Sequence, residues 1–183
     1  MKLIAGGDSF IWGSELQDSP NGAVYSLSTF SSLLAKEYNL EYHCVAYPGY
    51  SNREIHDNVA ENVTRDCVVI VCWTWQSRDN EINSDRWIIS LQKHLNDLNI
   101  PYLFTCADNC VITNNTMIDY LNWYMFPPGT NDDCETVTPR GFYQWAVENK
   151  YSIGPESHPL EQAHHDAFKL IKEKFNEVVK KNN

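Results

Sequence analysis

A serine behind two glycines, and a histidine beside a carboxylate near the other end of the chain, are the residue types that could share covalent chemistry. Ser9 follows a short apolar run, Leu3-Ile4-Ala5, that stops at Gly6-Gly7-Asp8. A strand ending in paired glycines has no side chains to crowd its turn, so the backbone can bend sharply and lift the next hydroxyl clear of a sheet. Ser9 is thus a candidate nucleophile, although a serine after glycine also serves as a plain turn residue or helix cap. Far along the chain, Gly154-Pro155-Glu156-Ser157-His158-Pro159 puts an imidazole and a carboxylate just before a closing amphipathic segment. An imidazole so placed can take a proton from a serine hydroxyl. The plainer alternative is that His158 only caps the helix.

The elements that must bring these residues together alternate between strand-like and helix-like patterns, which predicts an α/β sandwich with a mostly parallel sheet. After the opening strand, residues 10–22 read as loop, with Ser19-Pro20-Asn21-Gly22 as its turn signal. Leu27, Phe30, Leu33, Leu34 and Tyr38 fall at helical spacing within 25–38, and 40–47 reads as a second strand. Ser51-Asn52 caps a helix striped by Ile55, Val59 and Val63. The unbroken apolar run 67–73 suits a strand buried on both faces, at the centre of the sheet. Asn83 or Ser84 caps the next helix, whose buried stripe is Trp87, Ile88, Leu91, Leu95 and Leu98, and 100–107 reads as a fourth strand. Residues 108–152 lose clear periodicity, carry many aromatics and run through Phe126-Pro127-Pro128-Gly129 before a final helix over 159–179. In such a sheet the loops after the strands gather on one rim, which would hold Ser9, Gly49 and Thr74 to Arg78 together.

The 183-residue length fits one domain spanning 1–183, large enough to bury a core without metal or disulfide staples. A formal net charge of -10, with the Lys169 to Lys181 end interleaved by Glu173 and Glu177, argues against nucleic acid or an anionic membrane as partner. No 18-residue apolar run is present, and the opening run is too short for a secretory signal, so a cytoplasmic location is expected. Cys44, Cys67, Cys72, Cys106, Cys110 and Cys134 then read as free thiols. His164 and His165 are adjacent on a helix and diverge, so no metal site is expected. Without a phosphate-binding glycine loop, no cofactor is expected either.

Gly7-Asp8-Ser9, then Pro48-Gly49-Tyr50-Ser51-Asn52, then His158-Pro159 before a last helix occur in an order that resembles the SGNH, or GDSL-type, hydrolase superfamily. The resemblance implies a flavodoxin-like three-layer α/β/α sandwich, with 108–152 a divergent insertion. It also implies a serine ester hydrolase of esterase or acetylesterase type, acting without metal or cofactor on a small or carbohydrate-linked ester. Carried over, Ser9 attacks the carbonyl and His158 is the general base, while the backbone amides of Ser9 and Gly49 donate to the oxyanion. Asp8, Asn52, Trp73, Trp75 and Arg78 would stand beside the substrate. Aromatics of the insertion, Trp123 first among them with Tyr124, Phe126 and Trp145, would offer faces for sugar rings or acyl chains, or else fill a satellite core.

Two departures bear on activity. The family's acid stands three residues before the histidine, where this chain has Pro155; the orienting role would pass to Glu156 or to a backbone carbonyl, or the enzyme would work with a Ser-His pair. After the third strand the family carries Gly-x-Asn-Asp, and this chain reads Trp73-Thr74-Trp75-Gln76-Ser77-Arg78. Strand alternation points Trp73 and Trp75 one way and Thr74 the other, making Thr74 the expected substitute oxyanion donor, with Gln76 or Arg78 as alternatives if the loop folds back. The rival reading is a catalytically weakened member of the fold that serves as a binding or structural module. Oligomeric state is not readable from the sequence.

Overall fold

Strand β3 (Cys67–Trp73) is buried along its whole length because helices cover both of its faces. In the computed structural model, which describes residues 1–19, 22–79, 84–128 and 139–180, β3 lies between β1 (Lys2–Gly6) and β4 (Tyr102–Cys106), and β2 (Glu41–Cys44) flanks β1 on the far side. All three pairings are parallel, with Ala5 opposite Ile70 and Cys72 opposite Thr105. Sequence features at Pro20, Asn21, Asn83, Gly129, Cys134 and Lys181 lie outside the described residues.

Period-two alternation divides the apolar side chains between two layers. Leu3, Ala5, Val68, Ile70, Cys72 and Leu103 meet α2 (Phe30–Glu37), α5 (Phe142–Glu148) and α6 (Glu161–Lys180), chiefly through Phe30, Leu34, Phe142, Ala167, Ile171 and Phe175. Ile4, Val69, Val71, Trp73 and Phe104 meet Ile55 and Val59 of α3 (Asn52–Asn62) and Ile88, Leu91 and Leu95 of α4 (Asp85–Asp97). The result is a three-layer α/β/α sandwich. From β1 the chain goes first to one neighbouring strand and then returns to the other, so the loops after β1 and β3 diverge and leave a crevice between them. No described helix is long and apolar enough to cross a membrane.

Local chemistry moves several sequence-derived boundaries. Residues after Gly7 do not start as loop: Ser9–Trp12 forms the short helix α1, with Asp8 as its N-cap. The helix expected over 25–38 starts at Phe30 behind Thr29, because Asp18 accepts from the Ser26 hydroxyl, the Leu27 N–H and the Ser28 hydroxyl and so holds that stretch out of a helix. Leu27 and Leu98 are exposed, and Trp87 is half-buried beneath the Arg86 guanidinium. Regular strand geometry ends at Trp73, so Trp73 and Trp75 face opposite layers: Trp73 packs on Phe104, Trp75 on Phe10.

Asn52 fastens α3 to the end of β3. Its amide donates to the Thr74 carbonyl (2.9 Å) and to Ser84 Oγ (3.0 Å), while its carbonyl accepts the Thr74 N–H at 2.9 Å. Asn52 and Thr74 are both fully buried, so these groups have no water to turn to. Asn52→Ala is expected to destabilise the fold by about 2–4 kcal/mol, read as a lower urea midpoint at an unchanged denaturant slope.

Candidate active site

Ser9 is the first residue of α1 and is 4% exposed. The loop after β2 is bound to the same strand end: Val45 N–H donates to the Ala5 carbonyl and Tyr47 N–H to the Gly7 carbonyl (3.4 Å), two residues before Gly49. Gly49 has φ +87°, and a Cβ there would meet nothing within 4 Å, so glycine is favoured by backbone conformation and not by space. Among the described residues neither the Ser9 nor the Gly49 N–H is engaged by a hydrogen bond.

His158 arrives from the opposite side on a turn closed by Gly154 N–H to the His158 carbonyl (2.8 Å) and Ser157 N–H to the Gly154 carbonyl (3.0 Å). Its carboxylate partner is Glu15. The Nδ1 of His158 is 2.7 Å from Glu15 Oε2, and the same carboxylate accepts the backbone N–H groups of Glu156 (3.0 Å) and His158 (3.3 Å). Partial burial pushes the Glu15 carboxyl up, but these donors outweigh it and hold the group below the usual glutamate range. Facing an ionised carboxylate, Nδ1 carries the proton of the neutral ring, which leaves the Nε2 lone pair free to accept one.

This pairing corrects the expectation for Glu156. That side chain is exposed at the rim of the crevice, and only its backbone N–H serves Glu15. The chain delivers Glu15 by turning back on itself after α1: Gly13 is left-handed at φ 79° and Glu15 itself sits at φ 68°. Gly154 makes the landing place, since a Cβ there would lie 2.6 Å from the Glu15 carboxyl carbon.

Beside Ser9, the fully buried Asp8 carboxylate accepts from the Phe10 N–H (3.0 Å) and the Thr74 hydroxyl (2.6 Å), and it faces Arg78 Nη1 at 3.1 Å. Burial raises the Asp8 pKa, opposed by the Thr74 hydroxyl and then the Arg78 cation. The Thr74 expectation is therefore also corrected: its hydroxyl is committed to Asp8 and is not aimed at an oxyanion. Asp8 and Asn52 tie the loops of the site together from below. Trp73 and Trp123 are buried under the α3/α4 layer, Trp123 against Phe104 and Tyr120, away from the crevice.

A cavity of about 300 Å³ opens beside His158, walled by Phe10, Trp75, Arg78, Tyr143, Glu156 and His158; Ser9 and Gly49 are not among the residues that line it. Of the residues expected beside a substrate, Trp75 and Arg78 are therefore at the cavity. Phe10 and Tyr143 join them, with ring centroids 5.5 Å and 6.2 Å from Trp75. Tyr143 is fixed by its backbone N–H on Ala107, just past β4. Phe126 and Trp145 fill the core, and Tyr124 packs on Phe126. Ser9 Oγ and His158 Nε2 make no hydrogen bond with each other or with a third group among the described residues. The Phe10 ring stands against the imidazole, at 5.4 Å between centroids. Neighbouring His164 is a core residue: stacked on Phe30 and accepting its N–H, it is driven by burial to a pKa of about 3 and stays neutral.

No protein-family profile matches the sequence, and no curated protein matches it. Solved structures do. The psychrotrophic esterase EstA from Pseudoalteromonas sp., in a structure inhibited by monoethylphosphonate, superposes with a TM-score of 0.54 at 13% identity over 100% of this chain and 99% of that one. A carbohydrate esterase, described as having divergent catalytic and non-catalytic binding functions in its active site, gives 0.57 at 13% identity over 96% and 68%. A family two carbohydrate esterase from Clostridium thermocellum, in complex with cellohexaose, gives 0.55 at 10% identity over 97% and 64%. The chain shares its fold with these esterases. At these identities the likeness is one of fold alone.

Proposed function

We propose that the protein is a serine ester hydrolase acting on a small or carbohydrate-linked ester, with Ser9 as nucleophile, His158 as general base and Glu15 as the group that orients it. The observation that carries this reading is the 2.7 Å contact between Glu15 and His158 Nδ1, with the imidazole 5.4 Å from the ring of Phe10, the residue that follows Ser9 in α1. A half-buried carboxylate clamped by three N–H groups is an elaborate device for a histidine that merely caps a helix.

In the proposed reaction Ser9 Oγ attacks the ester carbonyl while Nε2 takes its proton. The oxyanion lies against the N–H groups of Ser9 and Gly49. Collapse expels the alcohol, which recovers the proton from the imidazolium, and water then repeats the sequence on the acyl-serine to release the acid. Glu15 stays ionised throughout and stabilises the imidazolium. The unformed Ser9–His158 bond fits a free site, since catalytic hydrogen bonds often tighten only around substrate. Phe10, Trp75 and Tyr143 present C–H and π surface suited to a sugar ring or a short acyl chain. The fold neighbours that are carbohydrate esterases support that substrate class.

A fluorophosphonate probe tests the reading directly. Wild-type protein is expected to form one adduct, at Ser9, and Ser9→Ala none. Labelling that survives in Ser9→Ala would overturn the assignment. Ligand binding to a wild type that never labels would favour the binding-module reading.

A further inference from the structure

Resting on the hydrolase reading, we infer that Arg78 is the side-chain oxyanion donor of this site, a guanidinium standing where an asparagine is missing. Thr74 is excluded because its hydroxyl is bound to Asp8. Arg78 Nη1 lies 3.1 Å from Asp8 Oδ2 and donates to the Tyr50 carbonyl at 3.4 Å. Asp8 immediately precedes Ser9 and Tyr50 immediately follows Gly49. The guanidinium is therefore tethered to the neighbours of both backbone donors and bridges the two loops that must grip the same oxygen.

Its orientation is fixed from three sides. The backbone N–H of Arg78 closes a tight turn onto the Trp75 carbonyl (3.1 Å), and the guanidinium lies 5.5 Å from the centroid of the Trp75 ring. One nitrogen is held by Asp8 and Tyr50. Nε and Nη2 form no bond among the described residues, and the side chain, 30% exposed, lines the cavity that His158 also lines. A fork held on one prong and open on the other can donate to an oxygen as its charge develops, without reorganising. The cation also balances Asp8, so an anion forming at Ser9 does not meet an uncompensated carboxylate.

The test compares Arg78→Ala and Arg78→Lys with wild type on a neutral acetyl ester, alongside binding of phenylboronic acid, which mimics the tetrahedral adduct on Ser9. Arg78→Ala is expected to lower kcat about 100- to 1,000-fold with little change in KM, and to weaken the boronate by a comparable factor. Millimolar guanidinium ion is expected to restore part of the lost rate, whereas ammonium does not. Arg78→Lys keeps a cation for Asp8 and guards against misfolding, but a single ammonium cannot hold Asp8 and the oxyanion in the same fork geometry, so its kcat also falls at an unchanged melting temperature. A lysine variant with native kcat overturns the inference. So does a loss confined to KM, or to anionic esters only, which would make Arg78 a substrate-charge reader. If wild type shows neither turnover nor a boronate adduct, the hydrolase reading fails and the Arg78 role fails with it; if Ser9→Ala abolishes both while the Arg78 variants are unaffected, only the Arg78 role falls.

Discussion

Ser9→Ala and His158→Ala should each lower kcat for a short-chain aryl ester by about a millionfold, and the double variant should lose little more than either alone. The reason for the shared cost is that nucleophile and base act in one step: an alkoxide does not form without a proton acceptor, and an acceptor has nothing to deprotonate without the hydroxyl. Neither change is expected to unfold the chain. Ser9 Oγ makes no hydrogen bond whose loss would strand a partner, and the fold's anchor at this point is the Asp8 carboxylate, which both variants retain. Steady-state kinetics beside a thermal melt checks both halves of the expectation. Additive losses, or turnover by Ser9→Ala near the wild-type rate, would remove the Ser9–His158 unit from the mechanism.

How much of this site the sequence discloses depends on how far apart its partners stand. The layer order, the central position of Cys67–Trp73 and the rim shared by Ser9, Gly49 and Arg78 follow from periodicities and turn signals within a dozen or so residues, where backbone sterics and burial act locally. Glu15 is invisible in that register. It pairs with His158 across 143 positions, and the sole local hint is a glycine at position 13 that lets the chain turn back after α1. A carboxylate near the histidine in sequence, Glu156, draws the eye instead, yet its backbone is what the site uses. Thr74 is misjudged for a related reason: strand alternation points it correctly away from Trp73, but only the structure shows Asp8 waiting there. Trp123 lies in the core and Tyr143, which the sequence does not single out, walls the cavity, because the aromatic-rich segment serves both layers of the sandwich and composition does not tell which ring reaches which face.

Glu15→Gln is expected to lower kcat by about a hundred- to ten-thousandfold, while Glu156→Gln stays within a few-fold of wild type. An amide at position 15 can still offer its oxygen to Nδ1–H, but it brings an NH₂ group against a site that already holds the N–H groups of Glu156 and His158, so donors face donors. It is also neutral, and leaves the imidazolium formed during attack without its counter-charge. Stability carries a separate signature. The Glu15 carboxyl is held below its ordinary 4.5 in the folded chain, so on the acid side the unfolded chain binds more protons at this position. The ionised glutamate therefore stabilises the fold above pH 4.5, and that contribution drains away as pH falls through the depressed folded value. Urea midpoints measured from pH 7 downward should show wild type losing its lead over Glu15→Gln across that acid range. Gly154→Ala, which would push a methyl to 2.6 Å from the Glu15 carboxyl carbon, is expected to reproduce the kinetic defect with every catalytic group still present. Equal damage from Glu156→Gln and Glu15→Gln, or a Gly154→Ala enzyme with native kcat, would show that the 2.7 Å contact does not orient the base.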